Sequence, residues 1–147
     1  GYEATRLAWV TQLPADCQVH PQTFDRFLPH TDASDIILSV YRDRGDTLAR
    51  RLLSQAFYVF VRVVVGARGD FTGTMMFRRE LLQELPPLRS ESFFVNLELP
   101  IQALRHDKRW SLVEIEAQPR LHGQSKVANL TRIRRVAVEA VKMRLRG

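Results

Sequence analysis

Strand-like and helix-like stretches take turns along this chain, and that alternation constrains its fold more than any single motif. Asp35 to Val40, Thr72 to Phe77 and Trp110 to Ala117 are apolar, β-rich runs of strand length, and Trp9 to Leu13 is a shorter one stopped by Pro14. Between them the spacing changes to the helical period. Tyr2 to Ala8 suits the end of a helix. Pro21 sits where a helix can begin, and Phe24, Phe27 and Leu28 would give it one apolar face. Thr47 to Val65 predicts a long helix too apolar to be fully solvated, so much of its surface must pack on protein or face a membrane. Arg78 to Leu85 reads as a helix ended by Pro86-Pro87, and Ser92 to His106 as a helix interrupted at Pro100. Helices and strands in alternation predict an α/β sheet.

With 45% hydrophobic and 26% charged residues, the 147-residue chain can bury a core as one domain, 1–147, and it shows no internal repeat, low-complexity tract or linker. Cys17 stands alone, so no internal disulfide is expected and a reducing, cytoplasmic setting is the simpler expectation. A formal charge of +6 and a pI near 10.2 favour an anionic partner, whether nucleotide phosphate, anionic lipid or nucleic acid. The first residues lack the basic start and apolar run of a signal peptide, and Gly1 is not expected to be the native start. The longest apolar tract, Ala56 to Gly66, is broken by Arg62 and falls short of the ~20 residues a membrane span requires.

After the Trp110 run the chain reads R-x-x-G-x-S-K from Arg120 to Lys126, which puts a guanidinium, a hydroxyl, an ammonium and a flexible glycine backbone in one short turn. That set suits a phosphate; a solvated basic loop is the plain alternative. Asp16 and Gln18, at i and i+2 of an extended segment, point to one side, as a hard cation such as Mg²⁺ or Mn²⁺ bridging to phosphate oxygens would need. A turn or cap role is the alternative for Asp16. The histidines His20, His30, His106 and His122 show no H-x-x-H spacing or cysteine partner, so no zinc site is expected. His122 is the one inside the phosphate-type loop.

The segment at about 127–146 is a basic amphipathic helix. Leu130, Ile133, Val136, Ala137, Ala140, Val141 and Leu145 fall on one face, with Arg132, Arg134, Arg135, Lys142, Arg144 and Arg146 mostly elsewhere. Such a helix either packs on the sheet with a solvated basic face or lies in an anionic membrane interface.

These blocks, in their order, resemble family-2 glycosyltransferases of the GT-A fold, in the branch of dolichyl-phosphate mannose synthase and polyprenyl-phosphate sugar synthases. Asp16-Cys17-Gln18-Val19-His20-Pro21 matches the second part of that branch's D-x-D-x-Q element with its following proline. Asp35-Ile36-Ile37-Leu38-Ser39, then Arg42 and Arg44, then Arg50-Arg51 with Ser54 match a strand, a basic turn and an Arg-bearing helix. Asp70 with Phe77-Arg78-Arg79, Glu98-Leu99, Val113-Glu114-Ile115-Glu116 and finally Arg120 to Lys126 match the later elements. Three positions depart from the pattern. Pro14 stands where the family has its first metal-site Asp, Tyr41 stands near its usual Arg, and the segment after Asp70 is about one residue short.

The resemblance implies a mixed sheet flanked by helices, the C-terminal part of a GT-A, Rossmann-like catalytic domain whose nucleotide-holding N-terminal half has no counterpart in this sequence. It implies inverting transfer of a sugar from a nucleotide-diphosphate donor to an acceptor, a polyprenyl phosphate in this branch, and little turnover by the 147 residues alone. Asp16 and Gln18 would hold Mg²⁺ or Mn²⁺. Arg120, Ser125 and Lys126 would hold phosphate, and Arg44 with one of Arg50 and Arg51 the lipid phosphate, since adjacent helical side chains do not face one site. An oxyanion acceptor needs no base; for a hydroxyl acceptor, Asp70 or Glu98 would serve. Asp70 reads equally as a turn residue, and Glu98 as a partly buried helix residue paired to an Arg. The implied location is cytoplasmic, peripheral at the inner membrane face. The competing reading is a non-enzymatic basic module for anionic membrane or nucleic acid. Nucleic acid is the less expected partner, because the aromatics lie in apolar runs and do not interleave with Lys and Arg.

Overall fold

A computed structural model describes residues 2–14, 18–42, 55–56, 59–60, 62–66, 73–116 and 130–146. The described residues form four strands, β1 (Trp9–Thr11), β2 (Ile36–Tyr41), β3 (Met75–Arg78) and β4 (Trp110–Ile115). They form a mixed sheet in the order β1-β3-β2-β4, with β3 antiparallel to both neighbours and β2 parallel to β4. The two-residue period of a strand sorts the side chains. Val10, Ile36, Leu38, Met75 and Phe77 enter the core on one face, while Ile37, Met76, Val113 and Ile115 enter it on the other. Covered on both faces, β2 and β3 carry the unbroken apolar runs seen in their sequences.

The first face is covered by a short helix α1 (Leu81–Glu84) and by α2 (Val95–Arg105), through Leu81, Leu85, Leu99 and Ala103. Phe24, Phe27 and Val19 cover the second. A third cluster joins Phe94, Leu97 and Ile101 to Val136, Ala140 and Met143 of α3 (Leu130–Arg146), with Phe60, Val64 and Val65. Helix α2 therefore serves two cores: Leu99 and Ala103 face the sheet, and Leu97 and Ile101 face α3.

Several expectations change. Pro100 does not interrupt its helix; α2 runs through it from Val95 to Arg105, and every residue from Leu97 to Ala103 is buried. The missing N–H costs one bond to the Asn96 carbonyl, and packing on two sides holds the helix together across the gap. The segment from Pro21 is a 3-10 helix, Pro21–Arg26, with His20 Nδ1 accepting the Gln22 N–H as its cap. A 3-10 turn aligns i with i+3, so Phe24 and Phe27 pack with ring centroids 5.4 Å apart, while Leu28 is 58% exposed. Tyr2–Ala4 is likewise only a 3-10 turn, and Arg78 closes β3 instead of opening a helix. Among the described residues, helix α3 packs on α2 and on Phe60, Val64 and Val65, in a cluster that holds no strand residue. Its inward residues include Met143, whereas Val141 and Leu145 point outward. Within the expected helix from Thr47 to Val65, the described residues 55–56, 59–60 and 62–65 are helical. The last turn ends at Gly66, whose positive φ of 70° and N–H to the Arg62 carbonyl (2.8 Å) make it a left-handed cap.

One end of the sheet is pinned electrostatically. Asp35, just before β2, accepts from the backbone N–H (3.0 Å), Nε (3.2 Å) and Nη2 (2.7 Å) of Arg109, just before β4. Arg78 lies over the Trp9 ring, 4.9 Å from its centroid, donates to the Thr31 carbonyl at 2.8 Å, and places Nε 3.7 Å from Asp35. Hydrogen bonding to the Arg109 side chain holds the Asp35 carboxyl below its ordinary range.

Candidate functional site

The opposite end of the sheet is where the chain leaves the strands. Because β1, β2 and β4 run the same way, their ends at Thr11, Tyr41 and Ile115 gather at one edge, and β3 starts there at Met75. In open α/β sheets ligands bind outside the carboxyl ends of the parallel strands.

Side-chain hydroxyls tie this edge together. Thr11 Oγ1 donates to the Met75 carbonyl at 2.8 Å, and Thr74 Oγ1 donates to the Gln12 carbonyl. Ser39, fully buried, donates its hydroxyl to the Thr74 carbonyl at 2.7 Å. Gly73 donates its N–H to the Ser39 carbonyl at 2.9 Å, and Arg42 donates its own to that of Ile115 at 2.9 Å. A Cβ on Gly73 would lie 2.2 Å from Ser39 Oγ and 2.8 Å from Ser39 O, so only glycine fits.

Beside the end of β4 lies an open cleft of about 460 Å³, lined by His20, Gln22, Thr23, Arg26 and Glu116. Its volume is in the range that takes a small ligand. Arg26 Nη1 donates to the Glu114 carbonyl at 3.3 Å, which holds the 3-10 helix against β4 and keeps the guanidinium at the cleft. The cleft thus offers a cation, an imidazole, a hydroxyl and a carboxylate. Sequence reading passed over Thr23 and Arg26, which belong to no motif, and weighed His20 only as a zinc ligand and as part of the Asp16–Pro21 block.

Of the residues expected to form the site, Asp16, Arg44, Arg50, Arg51, Asp70, Arg120, Ser125 and Lys126 lie outside the described residues. Gln18 is half-buried, next to Val19 of the second core. Glu98 is buried on α2, only 4% exposed. Its Oε1 accepts the Arg89 N–H at 3.1 Å and its Oε2 the Ser90 N–H at 2.9 Å, with Gln102 Nε2 at 3.5 Å from Oε1. No arginine side chain pairs with it among the described residues. The carboxylate is a clamp on the 89–90 backbone.

Among the described residues no three His, Cys, Asp or Glu side chains converge on a possible cation position. Gln18 brings one amide oxygen, so the described donor set does not by itself fit Mg²⁺ or Mn²⁺, and no step below is routed through a metal.

No family model and no curated protein matches the chain. Among solved structures it resembles glucosyl-3-phosphoglycerate synthase from Mycobacterium tuberculosis in complex with phosphoglyceric acid, with a TM-score of 0.69 and 19% identity over 97% of this chain. The chain shares the α/β fold of part of that synthase. At that identity the likeness is one of fold, and it spans 51% of the other chain, about half its length. The mixed four-stranded sheet with its helices is that of a GT-A-like domain fragment, as the order of the sequence blocks implied.

Proposed function

We propose that this chain is part of a glycosyltransferase domain that moves a sugar from a nucleotide-diphosphate donor to a phosphate-bearing acceptor. The observation that carries this reading is the likeness in fold to glucosyl-3-phosphoglycerate synthase, and the sequence blocks that follow the strand ends are those expected to meet phosphate. Asp16 is two residues from both Pro14 and Gln18, Arg44 two beyond Arg42, Asp70 three before Gly73, and Arg120 four beyond Glu116.

In the proposed reaction an acceptor oxygen forms a bond to the anomeric carbon as the bond from that carbon to the donor diphosphate breaks. The diphosphate leaves with the electron pair. Arg120 and Lys126 would meet the charge that develops there, with Ser125 adding a hydrogen bond. Arg44 and one of Arg50 and Arg51 would hold the acceptor phosphate. An acceptor that is already an oxyanion needs no base. For a hydroxyl acceptor the base is assigned to Asp70, because the Glu98 oxygens are engaged by Arg89 and Ser90.

The phosphoglyceric acid held by the structural neighbour supports an acceptor that carries phosphate; the sequence resemblance supports a polyprenyl phosphate within that class. Inversion follows from the same resemblance, and the anomeric configuration of the product, read by NMR, tests it. The deciding experiment is a thermal-shift screen of the full-length protein against nucleotide-diphosphate sugars, with and without Mn²⁺. The correct donor raises the transition temperature. No shift with any of them, together with no sugar transfer, would overturn the proposal; a shift that depends on Mn²⁺ and is lost in Asp16→Asn would support a metal at Asp16 and Gln18.

A further inference from the structure

Helix α3 carries two apolar faces, and only one is used. Val136, Ala140 and Met143 are buried against α2. On the far side, Val138 is 46%, Val141 42% and Leu145 82% exposed, spaced i, i+3 and i+7 so that they form one stripe. Arg134 extends the stripe by one turn toward the helix start. At 100° per residue, Lys142 flanks it on one side and Arg144 on the other, and Arg134, Lys142, Arg144 and Arg146 are all exposed. Arg135, also exposed, stands 3.8 Å from Glu91. The one acid within residues 134–146 of the helix, Glu139, is turned away from the stripe and bonded to Ser92 and to the Glu91 N–H. The outward face is therefore apolar along its middle and cationic along its margins. No helix among the described residues is long and apolar enough to cross a membrane.

We propose that this outward face of α3 docks on an anionic lipid bilayer. The apolar stripe would enter the headgroup boundary while the flanking bases reach lipid phosphates, the arrangement that favours interfacial helices. A second copy of the chain fits less well. The stripe covers fewer than the 3–4 heptads of a sustained coiled coil, and pairing would bring two rows of Arg and Lys together. Nucleic acid would use the bases and leave the exposed valines and leucine in water. This inference rests on α3 alone and stands or falls independently of glycosyl transfer.

The test is sedimentation of the 147-residue chain with vesicles of phosphatidylcholine alone and of equal parts phosphatidylcholine and phosphatidylglycerol. Binding is expected to the mixed vesicles and not to the neutral ones, and to weaken with salt. Each basic residue near such a surface is worth about fivefold in partition, so Arg134→Gln with Lys142→Gln is expected to lower binding about 25-fold. Val141→Glu with Leu145→Glu is expected to abolish it. Both doubles should keep the circular dichroism and transition temperature of the parent, because every changed side chain is exposed. Arg6→Gln, which removes one charge at an exposed site elsewhere, should lower binding no more than the fivefold of a single charge. The proposal is overturned by absence of binding to mixed vesicles or by equal binding to neutral ones. It is also overturned if Arg6→Gln matches the α3 double, if a single-stranded oligonucleotide binds as tightly as the mixed vesicles, or if the parent forms a dimer that Leu145→Glu dissolves.

Discussion

Gly73 and Ser39 approach so closely that one cannot acquire a side chain without displacing the other. The Gly73 N–H reaches the Ser39 carbonyl at 2.9 Å, and that oxygen lies 2.8 Å from where a Cβ would be. Gly73→Ala is therefore expected to destabilise the chain by roughly 1–3 kcal/mol, as overpacking of a filled site does. Ser39→Ala in the same chain removes the hydroxyl conflict but leaves the carbonyl, so it should recover only part of the loss. Urea titration of the single and double variants measures both. An unchanged midpoint in Gly73→Ala would show that the edge yields more readily than these distances imply.

Glu98 separates positioning from chemistry. Truncation to Ala leaves the Arg89 and Ser90 N–H groups without their acceptor, at about 1–3 kcal/mol for a buried donor left unpaired. Glu98→Gln keeps one carbonyl oxygen and should lose less. If the carboxylate only clamps the 89–90 backbone, Glu98→Gln in the full-length protein keeps the pH profile of transfer. Loss of the acidic limb of that profile would identify Glu98 as the base instead.

Acid sensitivity should trace to the pinned end of the sheet. Asp35 is held below its ordinary value of 3.8 by Arg109, so its folded pKa lies beneath its unfolded one. Its contribution is then fully present above the unfolded value and is lost as pH falls through the folded value. The stability gap between the parent and Asp35→Asn should be constant near neutrality and close progressively once pH drops below about 4. Denaturant midpoints across that range report it; a gap independent of pH would refute the assignment.

Adjacent residues at the end of the Pro21–Arg26 3-10 helix should behave oppositely. Phe27 is fully buried and Leu28 is 58% exposed. Phe27→Ala is expected to cost roughly 3–5 kcal/mol, and Leu28→Ala within about 0.5 kcal/mol. An α-helical reading of the same residues would make both costly, so thermal unfolding of the pair discriminates between the two geometries.

Strands were the most legible part of the sequence, because Ile36-Ile37-Leu38 and Met75-Met76-Phe77 carry their signal within themselves. Their pairing was not, since placing β3 between β1 and β2 depends on contacts between residues far apart in the chain. The Phe24, Phe27 and Leu28 pattern suited an α-helix by spacing, yet one tighter turn moved Leu28 into solvent. In α3 the sequence holds apolar residues on both sides, and only the presence of α2 decides that Met143 turns in and Leu145 out. At the site, motif reading found Glu98 but not its partners, which are backbone N–H groups and leave no mark in side-chain identity. His20, Thr23 and Arg26 converge only because the 3-10 helix is held against β4.

The sharing of α2 between two cores has a kinetic meaning. A helix whose one side completes the sheet core and whose other side completes the α3 cluster cannot detach from either alone, so the layers on its two sides should open as one cooperative unit. Backbone amides of Leu97, Leu99 and Ile101 would then exchange with solvent only when the whole unit opens, and a cavity cut on the α3 side, as in Ile101→Ala, would speed deuterium uptake in β2 and β3 as much as in α3.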